Sequence, residues 1–160
     1  MNKLFAFSLG QTALLLCLLL VAPLSNGQTI AFIMGSQNGA KLQSLDVRAL
    51  QHIFLRKRTL NAQGNTWIPI NLTAETPLRS AVTQKILHKS ASELERYWYE
   101  MYFDGVSPPY VLASEEAAIR FVIDTPGALG YVLACHVDKR VQVVFELEVE
   151  NNSALSCATH

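Results

Sequence analysis

An arginine three residues past a threonine-proline pair is the feature of this sequence best suited to chemistry. Thr76-Pro77 reads as a helix start, with a hydroxyl at the cap and proline at the first helical position. Arg79 follows in the first turn, which carries no acid, although Glu75 precedes it. Unpaired N–H groups and a partial positive charge at a helix N-terminus, joined by a guanidinium, suit a small tetrahedral oxyanion. Two other helix starts compete less well. Ser114 is followed at once by Glu115 and Glu116, and Ser90 uses Glu93 in a capping box. The Gly-rich loop after the first strand offers Ser36 and Asn38 as further oxyanion donors. An ordinary capped helix with a surface arginine accounts for the same residues, so both readings stand on sequence.

Other chemistries find little support. His52, His88, His136 and His160 are scattered without ligand spacing, so no metal is expected. No G-x-S-x-G or Cys/His motif is present, and neither an enzyme nor a cofactor is expected. Arg56-Lys57-Arg58 is the densest basic run and reads either as an anion-steering patch or as charge answering a helix C-terminus. Tyr97, Trp98, Tyr99, Tyr102 and Phe103 are too closely spaced to share one core, so some must reach the surface.

The elements that would position these groups are legible along the chain. Thr29 to Met34 reads as a strand, and Asp46 caps a helix with Val47, Leu50, Ile53 and Phe54 on one face. Trp67 to Ile70 reads as a strand whose proline favours an edge or an end. Two helices begin at Thr76 and Ser90. Gly105 to Pro109 is a loop, and a fourth helix starts at Ser114 and stops at Pro126-Gly127. Ala128 to Cys135 and Arg140 to Val149 read as strands joined by a turn at His136 to Lys139. The expected class is α/β, a small mixed sheet with helices packed on it.

Composition narrows the setting. With 13 basic and 13 acidic residues, neither a polycationic nucleic-acid binder nor an acidic tail is expected. Met1-Asn2-Lys3, the apolar run from Leu4 to Val21, and Ser25 and Gly27 after Pro23 have the pattern of a secretory signal. Cleavage after Gly27 leaves one exported domain over 28–160, not embedded in a membrane; an uncleaved anchor is the alternative. The residues around Cys17 do not fit a lipobox. Export makes a Cys135–Cys157 bridge the expected state of the remaining pair, against a buried Cys135 thiol and a loose Cys157.

Taken together, these segments resemble phosphate ABC transporter substrate-binding proteins. The residues that carry the likeness are Leu45-Asp46 with Leu50 and Ile53 to Arg58, then Trp67 to Asn71 and Pro77-Leu78-Arg79. Further along, Tyr97-Trp98, Phe103-Asp104-Gly105 and Pro108-Pro109 resemble short, single-lobe members of that group. Ser114-Glu115 through Val122 and Pro126 to Val132 are similar to their closing helix and P-G-A-I-G-Y-V strand. The resemblance implies a type 2 periplasmic-binding-protein-like lobe in the periplasm. Full members close two lobes around phosphate and pass it to a membrane permease. This chain has room for one lobe and lacks the family's R-S-x-x-S-G-T loop. Asn71 to Arg79 stands in that place, with Thr76 and Arg79 as the substitutes. The expected function is binding of a small oxyanion, phosphate by resemblance, for an ABC transporter. The rival is a periplasmic interaction or accessory module that keeps the lobe without the ligand.

Overall fold

The computed structural model describes residues 28–36, 44–150, 155 and 157. The elements follow in the order β1 (Gln28–Gly35), α1 (Val47–Phe54), β2 (Ile68–Leu72), α2 (Pro77–Lys85), α3 (Ala91–Phe103), β3 (Tyr110–Leu112), α4 (Glu115–Asp124), β4 (Ala128–Leu133) and β5 (Val141–Val149). A single 3-10 turn, Ala134–His136, separates the last two strands. The expected leader and Asn38 lie outside the described residues.

Each helix begins where its cap is written. Asp46 Oδ1 accepts from the Ala49 N–H at 2.6 Å, and Ser114 Oγ accepts from the Ala117 N–H at 3.1 Å. Ser90 and Glu93 form the reciprocal pair, at 3.3 Å and 2.7 Å. These local bonds satisfy amides that the first turn would otherwise leave unpaired.

The strands form one mixed sheet in the order β3-β2-β4-β1-β5. β2 runs parallel to β3 and to β4, whereas β1 lies antiparallel to both β4 and β5. Two features go beyond the expected order of elements. The last two strands do not pair with each other, because β1 is inserted between them and pairs along both. β4 and β5, each antiparallel to β1, are therefore parallel to each other, and residues 134–140 run along β1 from the level of Ile30, opposite Leu133, to that of Gly35, opposite Val141. Tyr110–Leu112, to which the sequence reading assigned no element, is an edge strand paired to Ile70–Leu72. Three residues are too few to show an alternating pattern, so only the partner strand identifies it.

Alternation along the strands assigns the two faces of the sheet. Phe32 and its partner Tyr131 face α1, where Phe54 packs on both at 5.9 Å between ring centres. Phe145 adds a fourth ring, 5.9 Å from Phe32. α2 lies on the same face, burying Leu78 and Val82 with Arg79 beside the Tyr131 hydroxyl, and α3 buries Leu94. Tyr97 ties α3 to α1 by donating its hydroxyl to the Leu55 carbonyl at 2.7 Å. α4 covers the opposite face with Ala118, Ile119 and Val122. Gly130 admits that contact: a Cβ there would stand 2.9 Å from Ile70 Cδ1 and 3.4 Å from Val122 Cγ1. Because both faces are covered, β4 is buried at every residue, which explains its unbroken apolar sequence.

The other edge, β5, departs from simple alternation. Its register to β1 shifts between Phe32 and Ile33, so that Val143 is exposed and Val144 buried. A bulge of this kind turns an edge strand. Arg140 fastens the start of β5 to α4. Its guanidinium meets both Glu116 oxygens, at 3.1 Å and 2.9 Å, and the Asp138 carboxylate at 2.7 Å.

Cys135 and Cys157 are joined by a disulfide across 22 residues, with their Cα atoms 6.2 Å apart. Cys135 stands in the exposed 3-10 turn, where a buried strand thiol had been the alternative. Leu155, two residues before Cys157, is buried. No helix of the described residues is long and apolar enough to cross a membrane.

Candidate functional site

β2 and β4 share a ladder at only two positions, Ile68 with Ala128 and Pro69 with Leu129. Beyond Leu129 another group takes over. The Tyr131 hydroxyl accepts from the Leu72 N–H at 3.2 Å and donates to Asn71 Oδ1 at 3.3 Å. Tyr131 and Asn71 are both buried, at 1% and 4% exposure. A phenol thus fills the crevice that opens at the carboxyl ends of two parallel strands, the location where open α/β sheets commonly bind ligands.

Arg79 enters this crevice from the first turn of α2. Its guanidinium interacts electrostatically with the Tyr131 hydroxyl, and its Nη1 is buried without a hydrogen-bond partner. None of the ion pairs among the described residues involves it. Burial lowers the affinity of this guanidinium for its proton, opposed by the nearby Tyr131 oxygen. Burial likewise raises the Tyr131 phenol, with Arg79 and the Leu72 N–H working against it. At neutral pH the pair is therefore a cation beside a neutral hydroxyl. A desolvated cation lacking a carboxylate is stabilised by any anion that reaches it.

Thr76 is already committed. Its hydroxyl donates to the Thr73 carbonyl at 2.8 Å and accepts from the Arg79 N–H at 3.3 Å. Its own N–H is taken by the Thr73 carbonyl at 3.1 Å, and Pro77 has none. The helix end therefore keeps at most the Leu78 amide for a ligand, and the role of Thr76 is to fix the turn that projects Arg79.

Ser36 is not brought to this place. Because β1 runs antiparallel, its carboxyl end lies beside the amino ends of β4 and β2, whereas Thr76 and Arg79 follow the carboxyl end of β2. The length of β2, about 15 Å, separates the two ends. Ser36 is exposed, and its N–H bonds the Arg140 carbonyl at 3.3 Å.

The start of α4 is occupied by its own acid. Glu115 Oε2 accepts from the Leu133 N–H at 2.6 Å and lies 2.9 Å from His136 Nδ1. Arg56, the first of the basic run, is used structurally: it adopts a left-handed backbone (φ 59°) and donates from Nη1 to the Trp67 carbonyl at 2.9 Å. Tyr99, Tyr102 and Phe103 are the exposed members of the aromatic run. Among the described residues, no group of acids, histidines and cysteines is arranged to hold a metal ion.

Sequence reasoning did not find Asn71 and Tyr131. A polar residue inside an apolar strand was a faint signal for Asn71. Nothing in the sequence pointed to Tyr131, which lies 60 residues away.

No protein-family model matches the chain, and no curated protein sequence matches it. Solved structures do match. One, from Clostridium perfringens, is described as a phosphate ABC transporter substrate-binding protein with bound phosphate. It superposes with a TM-score of 0.59 at 19% identity, over 74% of this chain and 44% of that one. An ABC-type phosphate transport receptor from Vibrio cholerae gives 0.56 at 16% identity, over 74% and 46%. PstS from Borrelia burgdorferi gives 0.51 at 15%, over 68% and 41%. The chain thus shares their mixed α/β fold and spans less than half the length of each.

Proposed function

We propose that this chain is an oxyanion-binding lobe of the phosphate-receptor type. In this reading residues 1–27 are a cleaved leader, residues 28–160 act in the periplasm as one lobe, and an ABC permease receives the ligand. The observation that carries the proposal is the half-buried Arg79 side chain, whose Nη1 is covered and unpartnered and which joins no ion pair among the described residues. It stands at the strand ends of a fold shared with proteins described as phosphate receptors. Arg79 supplies the charge and Thr76 holds its turn. Ser36 is left out because of its distance from both, and no role is given to Asn38.

Calorimetric titration with phosphate at low salt, with sulfate as the control, tests the proposal. A charge-assisted hydrogen bond contributes about 1.5–3 kcal/mol, so Arg79→Ala should weaken binding roughly tenfold to a hundredfold. Unchanged affinity in that variant, or no heat with either anion, refutes the assignment.

One observation favours a second reading as an interaction module. Tyr99, Tyr102 and Phe103 share a helix face and are exposed at 68%, 76% and 72%. Sedimentation that depends on concentration, and that loses this dependence in Tyr102→Ser/Phe103→Ser, would support it. A strict monomer would count against self-association through this face.

A further inference from the structure

The hollow between α2 and α3 is larger and more apolar than an inorganic anion requires. It encloses about 320 Å³, and Arg79, Ala91, Leu94 and Trp98 are among the residues that wall it. Pockets for small organic ligands begin at roughly this size, on the order of 300 Å³. A bare tetrahedral oxyanion has no apolar part to set against Leu94, Ala91 or the indole ring.

Two of the walls carry donors without acceptors. Arg79 Nη1 and Trp98 Nε1 are both buried, and neither has a hydrogen-bond partner among the described residues. A donor left so is costly, and two of the side chains that line this hollow each carry one that an acceptor oxygen would satisfy. Arg79 and Lys89 on these walls outnumber the single acid, Glu95. Lys89 also lies over the Tyr97 ring, 5.6 Å from its centre.

We infer that this hollow takes a small organic phosphate. The phosphoryl oxygens accept from Arg79 Nη1 and Trp98 Nε1, and the carbon body lies against Leu94 and Ala91. The inference rests on the oxyanion reading above and narrows its ligand from inorganic phosphate to a phosphomonoester. Both nitrogens are covered, so engagement requires a side chain of the wall to turn, and Trp98 should report it.

The test compares phenyl phosphate with inorganic phosphate by calorimetry on the full chain, followed by indole emission. The chain has two tryptophans, so Trp67→Phe leaves Trp98 as the sole reporter. Phenyl phosphate should bind at least tenfold more tightly and change Trp98 emission. Ala91→Phe, made at an exposed rim position, should remove that advantage by filling the hollow. Thermal melts identify any variant that fails to fold; the Ala91→Phe calorimetry does not depend on Trp67→Phe. Equal affinity for the two ligands, or an advantage that survives Ala91→Phe, overturns the inference. If phosphate still binds through Arg79, the broader reading stands without it. If neither ligand responds to Arg79→Ala, both fall.

Discussion

Tyr131→Phe removes one oxygen and leaves the ring among its aromatic neighbours, 5.7 Å from Phe32 and 5.9 Å from Phe54 between centres. Two buried groups then lose a hydrogen-bond partner, and the Arg79 guanidinium loses the hydroxyl beside it. The Leu72 N–H loses its acceptor at 3.2 Å, and Asn71 Oδ1 loses its donor at 3.3 Å. An unsatisfied buried polar group costs about 1–3 kcal/mol. Both bonds are at the long end for their type, so the low end of that range applies to each, for about 2 kcal/mol in total. For a chain of this size the melting temperature should fall by ~4–8 °C. Urea titration separates the causes: the midpoint should drop while the slope stays constant. Tyr99→Phe is the matched control, since Tyr99 is exposed, and it should change stability by less than ~0.5 kcal/mol. A Tyr131→Phe protein as stable as that control would mean that the hydroxyl does not hold the β2–β4 crevice together. The placement of Arg79 would then need another explanation.

Three further outcomes follow from the same geometry, one of them being the Arg79→Ala titration described above. Opening the Cys135–Cys157 bridge by Cys135→Ser/Cys157→Ser frees a 22-residue separation. Loop-closure entropy puts that loss at about 3 kcal/mol, measurable as a lower urea midpoint, and an unchanged midpoint would show that the bridge constrains nothing. Hydrogen bonds from Arg140 and Arg120 depress the Glu116 carboxyl to about 2, and Arg140 also lowers Asp138. A depressed carboxylate contributes stability that is present above its unfolded value and is lost as pH falls through its folded one. The melting temperature should therefore decline between about pH 4.5 and pH 2. Glu116→Gln should flatten part of that decline, and an identical profile in the variant would refute the role of the clamp.

Helix starts were legible because a cap is a local device. Asp46, Thr76, Ser90 and Ser114 each bond an amide three residues on, and the sequence alone places them. Burial was legible for a similar reason: β1 and β4 are apolar runs that only a sheet covered on both faces would accommodate. The α/β class and the approximate position of Arg79 followed from those two signals.

The remainder depended on contacts between distant parts of the chain. Insertion of β1 between β4 and β5 cannot be read from a turn at 136–139, because the same residues would serve a hairpin. Direct pairing is decided by which neighbour buries more of each strand, and β1 is covered by both. That insertion also sends Ser36 to the end of the sheet opposite Thr76. The Asn71–Tyr131 bond joins residues 60 apart, and it is the fold that sets the half-buried Arg79 guanidinium beside that phenol. Sequence specified the cap and the charge through short-range bonding. Only tertiary packing decided that the charge would be desolvated and left without a carboxylate, since burial and pairing are properties of the neighbours.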